Sequence, residues 1–410
     1  MKALSILLDR LRPTFSEGGK LSALHSVFDG FETFLFVPDH TSKSGVHIHD
    51  SIDSKRTMSW VILAMVPALL FGMYNTGYQH FLAIGELSKT GFWEVFGWGA
   101  LAVLPYIVVS YGVGLGIEFI SAQIKKEEIQ EGFLVSGLLI PLIMPIGVPL
   151  WMVAVATAFS VVFVKEIFGG TGYNVFNVAL MTRAFLFFAY PAKMSGTSVW
   201  VTTNASFGFG KALNVVDGFS GATPLGQAAS AIGSNAVHLT NIVGQPLTWW
   251  DMFLGFEPGS IGETSTLAVL IGALFLLVTG IASWKIITAV FAGGIGAILL
   301  FNALAVNAYM SVPFWNQICM GGFAFGAVFM ATDPVTASRT EKGKWIYGIL
   351  IGVLAMIIRV LNPAYPEGMM LAILLMNIFA KLIDYYVVQG NINKRLKRAV
   401  SAVKKGGNHE

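Results

Sequence analysis

The stretch FGWGALAVLPYIVVSYGVGLGIEFI, residues Phe96–Ile120, is long enough and apolar enough to cross a bilayer as a helix, a task that takes about 20 residues. Nine other apolar segments surround it. Met58 to Gly77 precedes it. Phe133 to Met144 follows, short and carrying Pro141 before Pro145, and then Trp151 to Val164 and Val178 to Tyr190. After a long polar loop come Thr264 to Ser283, Ile286 to Ala308, the short Met320 to Ala331, Trp345 to Val360 and Met369 to Val388. The expected fold is an all-α integral membrane protein with ten transmembrane helices.

Composition agrees. Of 410 residues 55% are hydrophobic and only 12% charged, against about 25% charged in an ordinary soluble domain. The first 57 residues mix basic and acidic side chains evenly, so no cleavable signal peptide is expected. The single cysteine, Cys319, cannot close an intrachain disulfide or hold an iron–sulfur cluster by itself. An electron carrier on this chain would be organic or shared with a partner, and no metal cluster is expected on this chain alone.

Basic residues set the orientation. Lys55 and Arg56 precede the first segment, and Lys125 and Lys126 follow the second. Arg339, Lys342 and Lys344 lie between the eighth and ninth, and Lys394, Arg395, Lys397, Arg398, Lys404 and Lys405 crowd the tail. With ten crossings all of these fall on one face, which is then cytoplasmic, as are both termini. The central loop falls outside, with Lys193 and Lys211 against four acids. The expected organisation is an N-terminal arm (1–57), a five-helix unit (58–190), an extracytoplasmic loop (191–263), a second five-helix unit (264–388) and a basic tail (389–410).

The two units resemble each other. Glu131-Gly132-Phe133 opens the short third segment, and Gly321-Gly322-Phe323 the short eighth. A tryptophan, Trp151 or Trp345, starts the next segment, which ends in Lys165 or Arg359. A Gly/Pro/Asn turn then precedes a closing apolar run. Five crossings is an odd number, so the second copy lies inverted. Paired, interrupted short segments in such repeats point to a binding or conduction site at their interface.

The loop holds Asp217-Gly218-Phe219-Ser220-Gly221-Ala222-Thr223, followed by Pro224. This has the form of a sequence at which a flavin transferase esterifies a threonine with the phosphate of FMN; the bland alternative is an Asp-Gly turn. A threonine hydroxyl is a poor nucleophile, but an external transferase supplies its own base. Gly208-Phe209-Gly210-Lys211 is not a phosphate-binding loop, because the first glycine of that motif is missing and Ala212 stands where Ser or Thr belongs. Ser220 sits in no hydrolase elbow. His47-x-His49-Asp50 has no other ligand cluster beside it, and a solvated arm explains it better than a metal.

Charges at membrane depth cost about 2.5–3.5 kcal/mol each on insertion scales. Lys165, Glu166 and Arg359 stand at segment ends, where snorkelling is the default explanation. Asp333, in Ala331-Thr332-Asp333-Pro334, either caps a turn or helps an ion enter, and Asp384 is equally open. Glu131 beside Gly132 marks a polar–apolar boundary fit for a quinone head group. Asn174 and Asn177 at the mouth of the fifth segment suit the polar edge of an isoalloxazine ring, or a capped helix start. Phe323, Phe325 and Phe329 form a stripe that reads as core packing, or as a hydrophobic constriction that blocks ions.

Taken together, Ser220 to Thr223, Lys165 to Gly172, Arg183 to Pro191, Gly321 to Pro334 and Arg359 to Gly368 resemble the family of B-type subunits of the sodium-translocating NADH:quinone oxidoreductase, across essentially the whole chain. The resemblance implies a membrane translocase subunit of a bacterial inner membrane, with FMN covalent at Thr223 and riboflavin near Asn174 and Asn177. It implies quinone reduction near Gly132, and sodium handling by Glu131, Asp333 and Asp384 with Phe325 and Phe329 as a gate. The implied partners are subunits of A, C, D, E and F type, the flavin transferase, lipid and quinone, with no nucleic acid. Moving one charge outward against about 150 mV costs about 3.5 kcal/mol, which one electron falling through about 150 mV releases. Ser206 to Asn214 departs from the family pattern as an apparent insertion. The sister D-type subunit of the Rnf electron-transport complex shares the flavin motif but has a shorter arm, and a non-redox secondary transporter is the alternative from another class.

Overall fold

The computed structural model describes residues 2–15, 54–125, 132–231, 236–362 and 365–406, with a few single positions of the arm. Among the described residues the regular secondary structure is almost all helix. Helix α1 (Lys2–Phe15) belongs to the arm. There follow α2 (Ser54–Ala83), α3 (Phe92–Lys125), α4 (Phe133–Leu142), α5 (Leu150–Ser160) and α6 (Val178–Ala189). The loop carries α7 (Pro224–Ser230) and α8 (Trp249–Leu254). Then come α9 (Thr266–Val278), α10 (Trp284–Leu304), α11 (Phe314–Cys319), α12 (Glu341–Leu361) and α13 (Met369–Gly406).

Five of these, α2, α3, α10, α12 and α13, contain stretches long and apolar enough to cross a membrane, and the chain is a multi-pass membrane protein. Four of them, α2, α3, α12 and α13, overrun the apolar segments that announce them, while α10 stops at Leu304, short of Ala308. Hydropathy marks the lipid-facing stretch, whereas a helix continues while its backbone stays paired. Helix α13 passes Val388 and runs through the basic residues to Gly406.

The short segments are short for visible reasons. Helix α4 ends where Ile143 and Met144 meet Pro145. Helix α5 loosens into a π-helical turn over Val161–Glu166. The eighth segment is barely α-helical: Phe323–Phe325 passes directly into a π turn, Gly326–Met330. Such turns weaken the regular ladder and recur at functional sites.

Packing is tight where glycine faces an aromatic ring. A Cβ at Gly114 of α3 would stand 1.9 Å from Phe133 Cζ, and one at Gly294 of α10 would stand 2.5 Å from Phe323 Cζ. Both rings are wholly buried. Helix α3 packs on α2, α4 and α5; α10 packs on α12, which packs on α13. Two further contacts join distant parts of the chain, α2 with α9 and α6 with α13.

The apparent insertion is a small exposed hairpin, β1 (Asn204–Ser206) and β2 (Phe209–Ala212). Phe207 and Gly208 between them have φ of 48° and 87°, as the primed turn of a two-residue hairpin requires.

Candidate functional site

Two clefts gather most of the singled-out residues, and α6 connects them. Asn177, the N-cap of α6, lines the first cleft, while Arg183 and Phe187 line the second. Asn177 and Arg183 are six residues apart, so the cleft walls lie about 9 Å apart along the helix.

The first cleft, about 860 Å³, is lined in part by Gly132, Lys165, Asn174, Asn177, Phe329 and Asp333. Gly132 touches Thr171 so closely that a Cβ would come within 2.4 Å of its Cγ2. Asn177 accepts the Leu180 N–H at 3.1 Å and donates to Asp333 Oδ2 at 3.2 Å. Asp333 also accepts from the Val335 N–H (3.0 Å) and the Thr336 hydroxyl (3.1 Å). Asn177 and Asp333 therefore cap local structure, and both also line the cleft. Asn174 donates to the Phe176 carbonyl at 3.0 Å. Behind Asn177, the Asn377 amide satisfies all its neighbours when its oxygen accepts from the Asn177 N–H (3.3 Å) and its nitrogen donates to Tyr347 Oη (2.9 Å).

Phe325 and Phe329 are buried, with ring centroids 5.0 Å apart. Phe329 reaches the first cleft and Phe325 does not. Asp384 stands elsewhere. Its carboxylate accepts from the Ser338 and Thr340 hydroxyls, both at 2.6 Å, and from the Arg339 and Thr340 N–H groups at 2.8 and 2.9 Å, latching α13 to the start of α12. Glu131 and the His47-x-His49-Asp50 stretch lie outside the described residues.

The second cleft, about 590 Å³, opens beside Thr223. Thr223 is half-buried and caps α7, its hydroxyl accepting the Gly226 N–H at 3.1 Å. The preceding Gly221 lies against Thr197, where a Cβ would come within 2.2 Å of its carbonyl oxygen. Deeper in, Arg183 is paired with two carboxylates. Its Nη1 donates to both oxygens of Glu263 at 2.9 Å, and its Nη2 bonds Glu367 and, at 3.3 Å, Ser260 Oγ.

Lys165 and Arg359 do not snorkel. Lys165 is 3% exposed and pairs with Glu118 of α3. Arg359 is 0% exposed and donates to the Gln317 carbonyl at 2.6 Å and the Glu367 carbonyl at 3.3 Å. Position at a segment end suggests a reach toward water. The partners, 47 residues away for Lys165, hold the charge inside instead. Sequence reasoning misses Glu118, Glu257, Glu263 and Glu367. The signal that could have found them is an ionisable residue in or beside an apolar segment. Among the described residues no group of three or more His, Cys, Asp or Glu is arranged to hold a metal ion.

The family model described as the NQR2, RnfD, RnfE family matches residues 41–393. The B-type subunit of a Na(+)-translocating NADH-quinone reductase from Ectopseudomonas mendocina is 46% identical over 416 residues, covering 96% of this chain and 98% of that protein. The protein of the same description from Chromohalobacter salexigens is 46% identical, covering 95% of each chain. That from Klebsiella pneumoniae is 44% identical, covering 96% of this chain and 99% of its own.

Proposed function

This chain belongs to the NQR2, RnfD, RnfE family, and from that premise we propose that it is the membrane subunit of a redox-driven sodium pump of a bacterial inner membrane. It relays electrons from FMN on Thr223, through riboflavin, to quinone, with coupled export of Na+. One observation carries this reading. Similarity to the B-type reductase subunits spans 95–96% of the chain, so both clefts lie inside the matched length.

The residues present fit the groups. At Thr223 a half-buried hydroxyl opens on a cleft with Trp200, Phe187 and Met194 on its apolar wall, and the Gly221 contact leaves no room for a side chain before it. There Thr223 would be the anchor and the apolar wall would take the ring. In the first cleft Asn174 and Asn177 offer amide donors and acceptors for riboflavin, and the same cleft, which Gly132 lines, would take a quinone head group. Bound flavin supplies the electron-carrying chemistry. The chain's own residues hold and orient it, and bury the path between the clefts away from water. Asp333, hydrogen-bonded to Asn177, joins flavin handling to ion handling, with Phe329 beside it as the gate. Glu131, Asp384 and Phe325 complete the proposed sodium set.

The units 58–190 and 264–388 are proposed as inverted five-helix repeats, giving ten crossings with the tail inside and the loop outside. The contacts of α2 with α9 and α6 with α13 support this, since each pairs corresponding segments across a shared interface.

The test is a mass spectrum of the Thr223 peptide from cells that contain the flavin transferase. An FMN-sized addition is expected, along with in-gel flavin fluorescence that Thr223→Ala abolishes. A bare peptide overturns the covalent-flavin reading and favours a secondary transporter. The Rnf alternative separates by electron donor: the assembled complex oxidises NADH in the proposed reading and ferredoxin in the other.

A further inference from the structure

Two carboxylates converge on the turn at Gly321 and Gly322, in the cleft beside Thr223. Glu257 and Glu263 line this cleft together with both glycines, and a Cβ at Gly322 would stand 2.5 Å from Glu263 Oε1. A side chain at Gly322 would push Glu263 away, and one at Gly321 would strike Leu225. Glu263 is fully engaged, since both its oxygens accept from Arg183. Glu367 takes the other arm of the same guanidinium.

Glu257 is different. It is 1% exposed, and its Oε2 atom is buried with no hydrogen-bond partner. The nearby base is Arg359, 3.8 Å from where a Gly321 Cβ would be. Its N–H groups go to main-chain carbonyls of Gln317 and Glu367, and among the described residues it forms no ion pair. Two arginines, Arg183 and Arg359, thus face three acids, Glu257, Glu263 and Glu367. One negative charge is left over, on the acid with the unpartnered oxygen. A buried carboxylate needs a counter-charge or a proton.

We propose that this cleft holds a single sodium ion at Glu257 Oε2, a cation site separate from the Gly132 cleft. The count calls for one more positive charge or one proton, and a carboxylate oxygen suits a hard cation. The choice of sodium rests on the pump reading above.

The test labels the wild-type assembled complex with a hydrophobic carbodiimide, which modifies protonated buried carboxyls, and reads modification at Glu257 by peptide mass spectrometry. Replacing choline chloride by sodium chloride at constant ionic strength should slow labelling of Glu257 on the order of tenfold at about ten times the dissociation constant, with Glu263 and Glu367 unaffected. Equal labelling in both salts overturns the site and identifies Glu257 as a simply protonated acid. Glu257→Gln gives an independent reading. The wild-type complex should gain roughly 2–5 °C in unfolding temperature with saturating sodium, and the variant should lose that gain; a gain that persists in the variant overturns the proposal. Sodium uptake by vesicles reads the pump separately. Protection at Glu257 without uptake would remove the pump and leave the site.

Discussion

The Lys165 ammonium lies 5.9 Å from the centroid of the Phe133 ring, and the Arg359 guanidinium lies 5.9 Å from that of Phe323. Each ring also fills the space opposite a glycine, Gly114 or Gly294. The same three-part arrangement of base, ring and glycine therefore occurs twice, with base and ring at positions that the internal resemblance aligns. Cation–π contacts of desolvated groups are worth about 2 kcal/mol, so each base is held by the ring as well as by its hydrogen bonds. This recurrence supports the proposed repeat more strongly than the short segments alone.

The glycines give the first prediction. Gly114→Ala and Gly294→Ala each drive a methyl into a buried ring, and overpacking of this kind costs about 1–3 kcal/mol. Both variants should unfold at lower temperature in detergent. Pairing Gly114→Ala with Phe133→Leu should recover part of the loss. An alanine at Gly294 that leaves stability unchanged contradicts the contact with Phe323.

Removing Lys165 alone leaves the buried Glu118 without that counter-charge. Breaking one partner of a buried pair typically costs about 3–5 kcal/mol, whereas an apolar replacement of both is often near neutral. Lys165→Met should therefore be much less stable than Lys165→Met/Glu118→Leu. Chemical denaturation of the four members of the cycle measures the coupling, and additive effects would mean that the pair carries none.

These charges also show where the sequence stops being readable. The apolar run from Phe96 to Ile120 announces α3 because hydropathy is a local property. The convergence of Gly132, Asn174, Asn177, Phe329 and Asp333 on one cleft is legible only through their shared motif context. The pairing of Arg183 with Glu263 and Glu367 spans 80 and 184 residues, and no local pattern encodes it. Lys165 and Arg359 mislead because a basic residue at a segment end normally extends toward water. The π turns at Val161–Glu166 and Gly326–Met330 leave no compositional trace either, since the same residues would suit an ordinary helix.

Asp384 offers a structural and a sodium-handling reading that one experiment separates. Asp384→Asn removes acceptor capacity from a carboxylate that takes four hydrogen bonds, at a cost of about 1–3 kcal/mol. Hydrogen exchange over residues 338–343 should accelerate. If exchange there is unchanged while the sodium concentration for half-maximal NADH oxidation rises, the residue acts on the ion instead.

Asn177→Ala removes both the α6 cap and a partner of Asp333. Loss of such a cap costs about 0.5–2 kcal/mol. Noncovalent riboflavin per complex, measured after acid extraction, should fall, while FMN at Thr223 stays. Unchanged riboflavin content would move that flavin away from this cleft.

Helix α13 has 38 residues, a rod of about 57 Å at 1.5 Å per residue, against a hydrocarbon layer of about 30 Å. Roughly half its length stands clear of lipid, and its first residue, Met369, abuts Gly326 in the π turn, where a Cβ would meet Met369 Cγ at 2.6 Å. One unbroken helix therefore ties the basic end to the seam in which Phe325 and Phe329 sit.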